Sequence, residues 1–293
     1  ADLFQVPYRP LHPENALETA RRPYWVLNAW NTDAIPMLKS MAITVVSGLV
    51  LHFVFKSGKA EVISQREGMA IVAIGWTAVG LFGALPFYFD SGFESFVDAV
   101  FESVSGFTTT GASILTNIEA FSKGILFWRS FIQWLGGMGI ILLSIAILPF
   151  LGVGGMQLYR AETPGPSKDS KLTPRITETA KALAAVYIML TLACAGAYYV
   201  TGMSGFDAIC HAFSTVAIGG FSTHDLSIGY FDSNAINLVA VVFMFFAGIN
   251  FSLHFFAWRW VSIRHYGGDP EFRGYTVILC GVSVLVVFGL IQH

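Results

Sequence analysis

Six stretches of this chain, residues 37–55, 68–89, 130–151, 182–206, 233–258 and 274–291, are apolar almost without interruption. Lys39 is the one Lys or Arg within them, and Asp and Glu are absent from all six. A helix needs about 20 consecutive apolar residues to cross the roughly 30 Å hydrocarbon core of a bilayer. The stretches predict an all-α integral membrane protein. Composition agrees: charged residues make up 12% of the chain, against about 25% in soluble domains. The formal net charge of −2 excludes a nucleic-acid partner, which would need a basic face. Cys194, Cys210 and Cys280 lie in apolar surroundings without a CxxC pair, so they are expected to pack in the core rather than form disulfides or hold zinc. Residues 1–35 mix polar and aromatic types and lack the charged-then-apolar order of a signal peptide.

Two shorter segments, 96–107 (FVDAVFESVSGF) and 205–216 (GFDAICHAFSTV), are half-polar. They are too short to span and suit re-entrant helices that enter the membrane and stop. Each is followed by a Thr- or Gly-rich stretch, 108–113 (TTTGAS) or 217–222 (AIGGFS), and then by a spanning segment. The units superpose at an offset of 109 residues: Asp98 on Asp207, Ala99 on Ala208, Ser105 on Ser214, Gly111 on Gly220 and Ser113 on Ser222. An internal duplication is the reading adopted, since transport proteins are often built from repeats.

Lys and Arg between the spans fall mostly on one side: Lys56, Lys59, Arg66, then Arg160, Lys168, Lys171, Arg175, Lys181, then Arg259, Arg264 and Arg273. The opposite side receives Lys123 and Arg129. The positive-inside rule makes the first side cytoplasmic, so both re-entrant segments enter from outside. Arg9, Arg21 and Arg22 would then lie outside, against the rule. The expected organisation is an extracytoplasmic segment 1–35, an extra transmembrane helix and cytoplasmic loop 36–66, a first pore repeat 67–152, a linker 153–175, a second repeat 176–265, and a further helix 266–293.

Ion-selective pores replace a cation's hydration shell with backbone carbonyls. Several carbonyls turned to one axis demand backbone conformations that glycine reaches cheaply, and a threonine hydroxyl adds one more oxygen. Thr108, Thr109, Thr110 and Gly111 supply both features, and Ile218, Gly219 and Gly220 supply glycines at the matching place. The C-terminal end of each short helix carries partial negative charge toward the ion path, which favours a cation. Either loop alone also reads as a capped helix end with a turn; its repetition between paired spans favours the pore.

The stretches FESVSGFTTTGAS (101–113), RSFIQWLGGMGIILLSIAILPFLGVGGMQLYRAETPGP (129–166), TPRITETAKAL (173–183) and STVAIGGFSTHDLSIGYFDSNAINL (214–238) resemble the Trk/Ktr/HKT superfamily, in particular TrkH-type potassium-uptake proteins. The resemblance runs from about Gly68 to His293. It implies four helix–pore-helix–filter–helix repeats around one K+ path, one filter glycine per repeat, a homodimer, and a cytosolic TrkA-like nucleotide-binding ring controlling opening. It places the protein in a bacterial inner membrane, with symport among the transport modes to expect. The filter glycine carries over onto Gly111 and Gly220, and the filter runs onto Thr108, Thr109, Thr110 and Gly111 and onto Ala217, Ile218, Gly219 and Gly220. K+ would be the transported ion and the only metal, with no cofactor. Family members are considerably longer; segment 274–291 corresponds to the first helix of a third repeat, and the chain is expected to match the front half of such a protein.

Other residues have plainer readings. His211, His224, Asp225 and Asp232 are expected near the outer surface, their spacing matching no metal site. Gly136, Gly137 and Gly139 suit close helix packing or room for a pore. Gln133 and Asn250 suit hydrogen bonds between helices, and Arg129 is expected to snorkel to the outer interface. An intramembrane hydrolase pairing Ser214 or Ser252 with His211 or His254 is a rival, but neither serine has a GxSxG-like elbow. A non-conducting membrane scaffold is a second rival, which leaves the two Thr/Gly loops unexplained. No enzyme is expected.

Overall fold

The computed structural model describes residues 34–56, 65–90, 92–151, 172–260 and 264–291. The N-terminal segment expected over 1–35 and the linker expected over 153–175 lie almost wholly outside those residues. Among the described residues every regular element is helical: α1 (Ile35–Val54), α2 (Gln65–Gly83), α3 (Leu85–Tyr88), α4 (Phe96–Phe107), α5 (Lys123–Leu151), α6 (Leu172–Val200), α7 (Gly205–Ala217), α8 (Asn234–Ala247), α9 (Phe251–Trp260), α10 (Arg264–Gly268) and α11 (Pro270–Ile291). Short 3₁₀ turns stand at Ile118–Ala120 and Ser227–Phe231.

Among the described residues four helices are long and apolar enough to cross a membrane: Ile35–Val54, Arg66–Tyr88, Glu178–Val200 and Pro270–Ile291. Their burial inverts the soluble pattern. No residue of α11 is buried, and in α1 only Pro36 and Ser40 are. Val277, Leu285, Leu290 and Phe53 stand open, which suits lipid, where an apolar surface costs nothing.

The two re-entrant helices end within a residue of expectation, and their starts are set by matching caps. Ser95 Oγ accepts from Asp98 N at 3.1 Å, and Ser204 Oγ accepts from Asp207 N at 3.1 Å. Each cap satisfies one of the donors a helix start leaves open, and the acid in the first turn complements the positive end. Helix α4 packs between α2 and α5, and α7 packs against α5, α6 and α8. Helix α5 therefore touches both pore helices. One core cluster gathers Phe87, Ala99, Phe107, Ile125 and Ile132 around α4; the other gathers Tyr187, Cys194, Tyr198, Ala212, Val216 and Ile236 around α7.

Three expected spans are interrupted. Segment 68–89 breaks at Ala84 ahead of Pro86, and Trp128 Nε1 covers the Gly83 carbonyl at 3.0 Å. Segment 182–206 ends at Val200, turns through Gly202 at φ +109°, and passes into α7. Segment 233–258 divides into α8 and α9 around Gly248–Asn250. Backbone groups freed at membrane depth need new partners. Tyr275 OH donates to Phe245 O at 3.3 Å, and His254 Nε2 lies 2.8 Å from Phe246 O. Asn250 Oδ1 accepts from Ser252 N at 3.0 Å, capping α9. Cys194 and Cys210 are buried as expected, but Cys280 is exposed because α11 has no buried face.

Candidate functional site: two matched filter loops

The two loops after α4 and α7 share one backbone path. Thr110 N donates to Ser105 O at 2.9 Å, and its equivalent Gly219 N donates to Ser214 O at 2.8 Å. Thr109 N donates to Gly106 O at 2.9 Å, and Ile218 N to Thr215 O at 3.1 Å. Positive φ recurs at the same places: Thr109 at 55° and Ile218 at 54°, Gly111 at 74° and Gly220 at 85°. Thr and Ile are β-branched, and the left-handed region is a genuine outlier for them. Such strain costs about 1–3 kcal/mol and gathers at functional sites. It occurs here twice, at one repeat position.

Alternating backbone hands turn successive N–H groups to one side of a chain and successive carbonyls to the other. In the first loop the N–H groups of Thr108, Thr109, Thr110 and Gly111 all bond back to carbonyls of α4. Among the described residues the carbonyls of Thr108 to Gly111 accept no hydrogen bond, nor do those of Ala217, Ile218 and Gly220. Thr108, Thr110, Ile218 and Gly220 are exposed. A row of uncommitted carbonyls beyond the negative end of a helix is a ligand set for a hard cation.

The loops differ in what holds them. The first is braced by its own hydroxyls: Thr108 Oγ1 donates to Val104 O at 2.7 Å and lies 2.8 Å from Thr110 Oγ1. Ser105 Oγ donates to Ala112 O at 2.6 Å. In the second loop Ala217 and Gly219 stand where Thr108 and Thr110 do. Gly219 is buried, and its carbonyl accepts from Gln133 Nε2 at 2.9 Å. Ser214 Oγ, the counterpart of Ser105, donates to Gln133 Oε1 at 2.8 Å. The loops also touch: a Cβ on Gly111 would collide with the Gly219 carbonyl, whereas a Cβ on Gly220 would meet nothing within 4 Å.

Behind the loops, matching positions carry different chemistry. Glu102 of α4 accepts from Ser113 Oγ at 2.9 Å. Its counterpart at the 109-residue offset, His211 of α7, lies with Nε2 3.0 Å from Ser222 Oγ and Nδ1 2.9 Å from Asp207 O. Glu102 is fully buried and pairs with Arg129 Nε at 2.5 Å. Arg129, expected to snorkel, is instead 2% exposed. A buried carboxylate in reach holds it inside, because an unpaired Glu102 would be costly. His211 is likewise buried rather than near the surface.

The other expectations divide cleanly. Gln133 bonds between helices, and Asn250 Nδ2 reaches Glu271 Oε2 at 3.2 Å. Gly136 admits the Phe107 carbonyl, Gly137 faces Tyr187 and Ala217, and Gly139 faces Trp76. His224 stacks on Tyr230 with centroids 3.6 Å apart and meets Glu119 at 3.1 Å, while Asp225 accepts from Ile118 N at 2.6 Å. The contacts with Glu119 and Ile118 join the segments that follow the two loops. Burial pushes the Asp207 carboxyl up, but hydrogen bonds from Ser204 and Thr223 and the charge of His224 outweigh it and hold Asp207 below its usual range. Among the described residues no group of three His, Cys, Asp or Glu could hold a metal ion. Neither Ser214 nor Ser252 meets His211 or His254: His254 Nδ1 lies 2.8 Å from Tyr266 OH.

Helix pairs enclosing a re-entrant helix and a carbonyl-lined loop, twice in tandem, define an integral membrane protein of the pore-loop class. Residues 36–291 match the TrkH family of cation transport proteins, and the chain belongs to that family. It is 52% identical over 252 residues to the Trk system potassium uptake protein TrkH of Halomonas elongata, covering 86% of this chain and 52% of that protein. It is 53% identical over 252 residues to TrkH of Escherichia coli, with 86% and 52% covered. The crystal structure of the potassium transporter TrkH from Vibrio parahaemolyticus superposes with a TM-score of 0.79 at 42% identity, covering 96% of this chain and 55% of that one. The chain spans about half the length of the curated relatives it matches.

Proposed function

We propose that this chain takes part in selective K+ uptake across a bacterial inner membrane. The carbonyls of Thr108, Thr109, Thr110 and Gly111 line the path on one side and those of Ala217, Ile218 and Gly220 on another, while the Gly219 carbonyl, expected among them, is turned to Gln133. The observation that carries this reading is the strained, matched pair of loops, with β-branched residues at φ near +55° and uncommitted carbonyls beyond each pore helix. A cation entering such a row exchanges hydration oxygens for carbonyl oxygens, and the negative ends of α4 and α7 add attraction. The relatives at 52% and 53% identity are potassium uptake proteins by name, which favours K+ as the ion. No catalytic step is assigned to any residue. The family reading extends to a homodimer and to a cytosolic nucleotide-binding ring of the TrkA kind, testable by crosslinking and co-purification.

The test is Rb+ uptake, with Na+ as competitor, in a bacterial strain lacking its own K+ uptake and carrying the gene that encodes this chain. Saturable Rb+ uptake resisted by K+ and little affected by Na+ is expected. Equal uptake of Na+, or none of Rb+, would overturn the proposal.

A further inference from the structure

We infer that Arg129 and Gln133, both on α5 of the first repeat, are the positioning residues that set ion selectivity in the filter loop of the second. This rests on the K+-uptake reading above. The residues lie four apart, hence on one face of α5. Arg129 Nη1 donates to Ser222 O at 2.8 Å, and the guanidinium lies 3.9 Å from the centre of the Phe221 ring. Gln133 Nε2 donates to Gly219 O, and its Oε1 accepts from Phe221 N at 3.2 Å and from Ser214 Oγ. Together they bracket residues 219 to 222 from behind.

The need for such bracketing follows from the comparison of the loops. The first loop carries hydroxyls at Thr108 and Thr110 that tie it to α4 and to itself. The second has Ala217 and Gly219 there, and the hydroxyl of Ser214, the counterpart of Ser105, is spent on Gln133. Two glycines in sequence leave the backbone free to turn its peptide planes. The plane between Gly219 and Gly220 carries the carbonyl that Gln133 holds, so the angle of that carbonyl is set by a side chain of another repeat. Glu102 completes the arrangement: it neutralises Arg129 while holding Ser113 of the first loop. One ion pair thus touches the end of both loops. The positions equivalent to Arg129 and Gln133 at the 109-residue offset are Leu238 and Val242, so the second repeat provides no matching pair.

The test measures Rb+ uptake and its inhibition by Na+ for Gln133→Met, Ser214→Ala and the paired change Glu102→Met with Arg129→Met. Membrane abundance and monodisperse elution report folding. Gln133→Met is expected to lower Rb+-over-Na+ discrimination about tenfold, the factor matching one lost buried hydrogen-bond partner, at unchanged abundance. Ser214→Ala, which removes one of the three bonds to Gln133, should lower it less. The paired change removes both buried charges together and should fold yet discriminate poorly. A merely structural role would lower abundance and total uptake while leaving the ratio alone. Unchanged discrimination in folded Gln133→Met would overturn the inference. Should that variant fail to accumulate, the same criterion applies to Ser214→Ala and to the charge-free pair. If Gly220→Ser loses discrimination while these variants keep it, only this inference fails; if the unsubstituted protein, expressed from its whole gene, takes up no Rb+, the K+ reading itself fails.

Discussion

The two filter loops follow one backbone path by different means. Thr109 and Ile218 share a left-handed φ within a degree of each other, yet the first loop is tied by its own hydroxyls and the second by side chains of α5. A duplicated unit can therefore keep its backbone while its supports diverge. With Gln133 and Arg129 bracing the second loop from outside, no Thr at 217 or 219 is needed to hold it. The price is dependence: the second loop relies on the first repeat, and the first does not rely on the second to the same degree.

That difference can be broken at its charged end first. Arg129→Ala leaves Glu102 buried without its cation, and breaking such a pair costs about 3–5 kcal/mol; a thermal-melting assay of purified protein should show the largest drop in this series. Replacing both Glu102 and Arg129 by Met should recover most of that loss. The glycines sharpen the contrast next. Gly111→Ala must push into the Gly219 carbonyl, adding overpacking of about 1–3 kcal/mol to a left-handed cost of about 1–2 kcal/mol. Gly220→Ala carries the left-handed cost alone, so its melting temperature should fall less. Ser95→Ala, at the first cap, should cost about 1 kcal/mol, and Ser204→Ala somewhat more, because the Ser204 hydroxyl also donates to Asp207 Oδ2 at 2.7 Å.

The smallest effect is a pH dependence set by Asp207 in the second repeat. Asp207 has its folded pKa held below the usual carboxylate range. Its contribution to stability is therefore complete above that range and is lost as pH falls through the folded value. Melting followed from neutral to strongly acid pH should decline less steeply in Asp207→Asn than in the unsubstituted chain.

How far these features could be read beforehand depends on whether their cause is local. The pore helices end where expected because half-polar composition and Gly-rich exits are local signals, and the caps at Ser95 and Ser204 stand three residues before Asp98 and Asp207. The break at Gly248–Asn250 was hidden because Gly-Ile-Asn inside an apolar run reads as continuous by hydropathy. Its partners, Tyr275 and His254, reach it only after folding. The burial of Arg129 is a long-range fact too, its partner lying 27 residues earlier. One clue was present: Glu102 is an acid within a segment that must enter the membrane, and such an acid demands a cation. The exchange of Glu102 for His211 at matching positions was likewise available from the 109-residue offset. The roles of Gln133 and of the Gly219 carbonyl were not, because they need the two repeats in contact.

The central claim, that the carbonyls of both loops line one cation-selective path, is tested most directly by comparing Gly111→Ser, Gly220→Ser and Gly48→Ala side by side. Gly48 lies on α1, where an added Cβ would meet nothing within 4 Å, so it serves as the control. Rb+ uptake and its inhibition by Na+ are measured at matched membrane abundance. The account predicts that both filter variants lose Rb+-over-Na+ discrimination, Gly111→Ser the more severely, while Gly48→Ala behaves like the unsubstituted chain. Full discrimination in either filter variant would contradict it.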